Sequence, residues 1–132
     1  MIKLTLPLKN ASIIIVIDTS GDFVHTKMYL ATSENRYLGI DNLKRTQKTA
    51  KKIKDIFEQY LDHTLNTKYD ETGLFAYSET LFMANFVYKD LNPRVKIYFD
   101  QYEIRKCEIM EFSIDDEMIR EWINQLNHIL SI

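Results

Sequence analysis

The chain has 132 residues, 45% apolar and 27% charged, with three glycines, two prolines and one cysteine. That is the size and make-up of one globular domain with its own core, and it excludes a low-complexity tract, a collagen-like repeat and a disulfide scaffold. The net charge of −2 selects no partner class, and the lone Cys107 points to a reducing compartment.

No internal repeat stands out. The N-terminal residues alternate between apolar and polar instead of forming the apolar stretch of a leader peptide. The longest aliphatic run, Ile13 to Ile17, is too short to span a bilayer. The chain therefore reads as soluble and cytoplasmic, with no membrane partner.

Ile2, Leu4, Leu6 and Leu8 alternate with Lys3, Thr5, Pro7 and Lys9, which predicts a half-buried strand, with Pro7 placing it at a sheet edge or marking its end. Ser12 to Asp18 is a continuous β-branched run and predicts a strand covered on both faces. Turn chemistry at Thr19-Ser20-Gly21-Asp22 leads to a strand at Phe23–Ala31, and a polar turn leads to another at Arg36–Ile40. Asp41 or Asn42 can cap a helix whose apolar positions are Leu43, Thr46, Ala50, Ile53, Phe57, Tyr60 and Thr64. Asn66 to Gly73 reads as a loop.

Leu74 to Leu91 supports two readings. The favoured one is a strand at Leu74–Ser78 followed by a helix from Glu79 to Asp90; the other is a β-hairpin, because Phe75, Tyr77, Phe82, Phe86 and Tyr88 are good strand formers. Asn92-Pro93 ends the segment. Arg94–Asp100 alternates again, and a last strand is expected at Ile104–Phe112. Ser113 is the expected N-cap of a final helix, with Asp115, Asp116 and Glu117 in its first turn and an apolar stripe of Met118, Trp122, Leu126, Ile129 and Leu130.

The fold class expected is α+β, a single domain over residues 1–132. A mostly antiparallel or mixed sheet of five to six strands, built from residues 2–40 and 94–112, would pack against two or three helices. These include a long central helix at 42–65 and a C-terminal amphipathic helix at 113–131.

Six basic residues (Lys44, Arg45, Lys48, Lys51, Lys52, Lys54) and no acid lie between positions 44 and 54, leaving 11 basic against 19 acidic residues elsewhere. Lys44, Lys48, Lys51 and Lys52 share a helix face, where ammonium groups can meet an anionic partner. Lys44, Arg45, Lys48, Lys51 and Lys52 are the candidate partner-binding residues. The C-terminal part is opposite in sign, with eight acids against three bases over residues 100–121. Eight of the sixteen aromatics fall between Phe75 and Tyr102, and they suit a core, a protein interface or a stacking platform.

Asp18 at the end of a strand, Glu58 on the long helix and Glu79 near a later strand are candidate catalytic carboxylates. With the order strand–strand–strand–helix–strand–helix–strand, they give the chain a faint resemblance to the ribonuclease H-like fold over residues 12 to 99. That resemblance implies metal-dependent phosphoryl transfer, with carboxylate oxygens holding a divalent cation. Gln47 and Lys48 stand where such a site would place its helical acid.

His25, His63 and His128 lack metal-ligand spacing, and no phosphate loop, dinucleotide fingerprint or serine-nucleophile elbow occurs. Cys107 reads as a buried strand thiol, and no cofactor or metal is expected. The leading expectation is a small non-catalytic binding protein of the inhibitor, immunity or mobile-element accessory type. It would occlude a macromolecular partner, protein in preference to nucleic acid, through the basic helix or the acidic C-terminal surface. The alternative is nucleic-acid binding, with or without ribonuclease H-like catalysis. Self-association through the aromatic segment or an edge strand stays open.

Overall fold

In a computed structural model the described residues are 2–18, 25–31, 35–65, 71–77, 82–87, 93–101 and 106–132. They form four strands, a helix, four strands and a second helix. In chain order these are β1 (Ile2–Leu8), β2 (Ala11–Asp18), β3 (His25–Ala31), β4 (Asn35–Asn42), α1 (Leu43–Leu61), β5 (Glu71–Tyr77), β6 (Phe82–Val87), β7 (Arg94–Gln101), β8 (Lys106–Ser113) and α2 (Asp116–Leu130). The fold is α+β, but in place of the one sheet expected there are two antiparallel four-stranded sheets, ordered β1-β2-β3-β4 and β5-β6-β7-β8. Residues 2–42 and 71–113 each close their own meander, so the two halves share no ladder.

The first sheet follows its apolar pattern. Leu4, Leu6 and Leu8 of β1 and Ile13, Ile15 and Ile17 of β2 are buried, and β1 is an edge strand, where Pro7 costs no ladder bond. β2 is not covered on both faces as its composition suggests. Ile14 and Val16 are half-buried on the opposite side, because a helix layer covers one face of the sheet only.

The favoured reading of residues 74–91 is overturned. No helix occurs over 82–87: β5 and β6 are the hairpin of the other reading, with Tyr77 opposite Phe82, and the expected 66–73 loop gives way to strand at Glu71. Phe86 lies opposite Val95 in β7, and both are fully buried. Without β6, the β7–β8 pair would be an isolated hairpin, too small to hold an apolar face. Among the described residues, strand stands at 82–87 where the element order behind the ribonuclease H-like resemblance needs a helix.

Both helices are capped, one as expected and one not. The Asn42 side chain accepts from the Arg45 amide at 2.9 Å. α1 stops at Leu61, short of residue 65, because His63 turns left-handed with φ 58° and the amides of His63 and Thr64 close back onto Tyr60 and Gln59. The second cap is Asp115 and not Ser113, which is the last residue of β8; the Asp115 carboxylate accepts from the Met118 amide at 2.8 Å. The buried stripe of α2 is accordingly Ile119, Trp122, Leu126 and Ile129, with Met118 and Leu130 at its margins.

The element order repeats, contrary to the sequence reading. Sixty-nine residues separate Ile2 from Glu71 and His25 from Arg94, where equivalent strands begin. The same offset carries Ala50, Ile53, Phe57 and Tyr60 of α1 onto Ile119, Trp122, Leu126 and Ile129 of α2. His25–Ile40 and Arg94–Ile109 are identical at five of sixteen positions on this offset: Lys27/Lys96, Tyr29/Tyr98, Glu34/Glu103, Arg36/Arg105 and Ile40/Ile109.

Each helix also reaches the other half's sheet. The Trp122 indole Nε1 of α2 donates to the Pro7 carbonyl of β1 at 2.6 Å, while Phe57 and Tyr60 of α1 meet Phe86 of β6 edge-on, with centroids 5.1 and 5.3 Å apart. The Lys9 amide donates to the Ser113 carbonyl at 3.0 Å, tying the start of the first sheet to the end of the second. One apolar core thus draws on both sheets and both helices.

The repeat exposes one mismatch in that core. Thr26 is 1% exposed and its hydroxyl has no hydrogen-bond partner among the described residues, whereas its counterpart Val95 is fully buried. A buried unpaired hydroxyl costs free energy that a methyl of the same shape does not. Thr26→Val should raise the unfolding free energy by about 1 kcal/mol, read as a higher urea midpoint at unchanged slope; a lower midpoint would contradict this account of the site.

Candidate functional site

α1 and α2 lie antiparallel. Gln47 Nε2 near the start of α1 donates to the Ile129 and Ile132 carbonyls at the end of α2, both at 3.1 Å. Phe57 meets Trp122 at 5.2 Å, and Tyr60 at the end of α1 stands beside Asp116 at the start of α2. Thr46, Ala50, Ile53 and Phe57 turn one face of α1 into the core, so the opposite face is presented outward on a fixed scaffold.

Lys44, Arg45, Lys48, Lys51 and Lys52, the predicted partner-binding residues, are all exposed on α1. Lys51 pairs with Asp55 at 3.5 Å and Lys54 with Glu58 at 3.7 Å, so the basic run has counter-charges just beyond its end. Such exposed pairs contribute a few tenths of a kcal/mol (about 0.3–0.5). Lys44, Lys48 and Lys52 make no ion pair among the described residues and form a row at four-residue spacing.

The antiparallel packing gathers opposite charge at the other end. Asp55, Glu58 and Asp62 belong to the end of α1 where Tyr60 meets Asp116, and Asp115, Asp116, Glu117 and Glu121, with Arg120, belong to the start of α2. A groove of about 700 Å³ opens there, lined by Lys9, Tyr60, Ser113, Asp115, Asp116 and Arg120 among others. The sequence marks both acidic segments separately; their meeting follows from helix packing, which no local pattern encodes.

Of the three candidate carboxylates, two fall on described residues. Asp18 ends β2 opposite His25, Glu58 is engaged with Lys54, and Glu79 lies outside the described residues. Among the described residues no group of three His, Cys, Asp or Glu side chains is placed to hold a metal ion. No helix among them is long and apolar enough to cross a membrane. Of the aromatic segment, Phe86 is a core residue; the stretches 78–81, 88–92 and 102–105, with Tyr88 and Tyr102, lie outside the described residues.

Compared with known protein families the chain matches no family model, and compared with curated proteins it matches none.

Burial raises the Tyr60 phenol above the usual tyrosine range, and the nearby Asp116 carboxylate raises it further, since both disfavour the phenolate. The folded state holds this proton more tightly than the unfolded chain. The associated stability is therefore complete below the ordinary tyrosine range and is lost as pH rises through the folded value. Asp116→Asn should lower the Tyr60 titration midpoint, measured as the difference in phenolate absorbance between this variant with and without Tyr60→Phe. A midpoint unchanged by Asp116→Asn would remove the carboxylate from this account.

Proposed function

We propose that the chain is a non-catalytic binding protein that occludes an acidic surface of a macromolecular partner, in the manner of an inhibitor, immunity or accessory protein. One observation carries the reading: Lys44, Lys48 and Lys52 stand exposed at four-residue intervals, without an ion pair among the described residues, on a helix fixed by its buried face. Consecutive rungs of this row are about 6 Å apart along the helix. A rigid row of ammonium groups steers an acidic partner and fixes its register.

A protein partner suits this surface better than a nucleic acid. A phosphate backbone is a continuous polyanion, and one following the lysine row along α1 would run into Asp55, Glu58 and Asp62. A folded acidic patch of limited extent meets the row and stops short of those carboxylates.

The test is retention on immobilised poly-L-glutamate at low salt, compared with an immobilised DNA duplex. Replacing Lys44, Lys48 and Lys52 together by Glu should weaken retention on poly-glutamate by about tenfold or more. Retention equal to that of the unmodified chain would reject the row as the docking surface. Tighter binding to the duplex, lost in the same variant and falling steeply with salt, would favour nucleic acid instead.

A further inference from the structure

The helix pair is divided by charge along its length. Its basic half, residues 43–54 of α1 beside 122–132 of α2, carries six basic residues and no acid. Its acidic half, residues 55–62 of α1 beside 115–121 of α2, carries seven acids and one base. The halves are therefore +6 and −6, a match that neither helix has alone. Lys44, Lys48 and Lys52 occupy the outward side of one half, and Asp116, Glu117 and Glu121 are exposed in the other.

A two-fold rotation about an axis through the middle of this face lays the basic half of one copy on the acidic half of another, and does so twice. Isologous pairing needs this self-complementarity. We infer that the helical face pairs with a second copy of this chain, Lys44, Lys48 and Lys52 of each protomer facing Asp116, Glu117 and Glu121 of the other. The inference rests on the reading that the α1 row docks an acidic surface, and it names that surface.

The dimensions set the strength. α1 is about 28 Å long and two packed helices are about 20 Å wide, so the face offers roughly 500 Å² per protomer, at the lower limit for a specific interface. Ile132 is the only large apolar residue exposed among the described residues, so apolar burial adds little. The association is consequently weak, concentration-dependent and sensitive to salt.

Sedimentation equilibrium of the full chain tests this at about 0.02 M and about 0.5 M salt, where screening lengths differ several-fold. A monomer–dimer equilibrium is expected at low salt, with the dissociation constant rising at least tenfold at high salt. Lys48→Glu with Lys52→Glu should give a monomer at low salt, and so should Glu117→Lys with Glu121→Lys. An equimolar mixture of the two variants should recover the dimer, because the reversed charges then face each other.

Two monomeric variants whose mixture stays monomeric would overturn the proposed pairing, as would a dimer unaffected by either substitution. An unmodified chain that is monomeric at low salt, yet loses poly-glutamate retention when the row is reversed, would overturn self-pairing and leave the docking row standing. Loss of neither property on reversal would overturn both.

Discussion

The contact between α1 and α2 is the constraint on which the rest of the structure depends. Phe57 stands edge-on to Trp122 at 5.2 Å and to Phe86 at 5.1 Å, so one ring joins both helices to the second sheet. Trp122 in turn reaches the first sheet through the Pro7 carbonyl. Each four-stranded sheet has one apolar face, and an uncovered sheet of that size does not hold its shape in water. Here the cover for each comes partly from the helix that follows the other, which makes the halves mutually dependent.

The same packing accounts for the charge pattern. Cations in the first turns of a helix oppose its dipole, and α1 has Lys44 and Arg45 there with no acid. Antiparallel packing brings the C-terminal end of α2 alongside, with carbonyls at Ile129 and Ile132 close enough to accept from Gln47. The negative end of one dipole offsets the positive end of the other, and the basic residues are tolerated where an isolated helix would disfavour them. At the opposite end, Asp115 and Asp116 complement the start of α2, while burial and, beyond it, Asp116 disfavour the Tyr60 phenolate.

Elements whose signals are local were legible in the sequence. Alternation identified β1 and β7, the Asn42 cap and the three-four spacing identified α1, and the acidic first turn identified α2. What failed depends on distant partners. Residues 82–87 have a composition that suits either state, and Phe86 becomes strand because Val95 lies opposite it. The β-branched run of β2 suggested two covered faces, but the number of helix layers is a tertiary property. Asp115 displaced Ser113 as the cap because β8 extends through Ser113. The repeat is faint in the sequence because most identities fall in one segment, where Lys27 and Tyr29 recur as Lys96 and Tyr98 while the intervening core residue changes from Met28 to Ile97. Of the candidate site, the basic residues were legible as a run and their exposure follows from the helix; the acidic C-terminal segment was legible too, but not its approach to the end of α1, because Asp62 and Asp115 are 53 positions apart.

Native-state hydrogen exchange on the full chain, with and without Phe57→Leu, tests the mutual dependence of the halves most directly. If the halves stabilise each other through the shared core, the slowest amides of β2–β3 and of β6–β7 exchange with the same opening free energy, and the substitution lowers both by the same amount. Loss of protection in one sheet alone, with the other retaining its original value, would contradict the account.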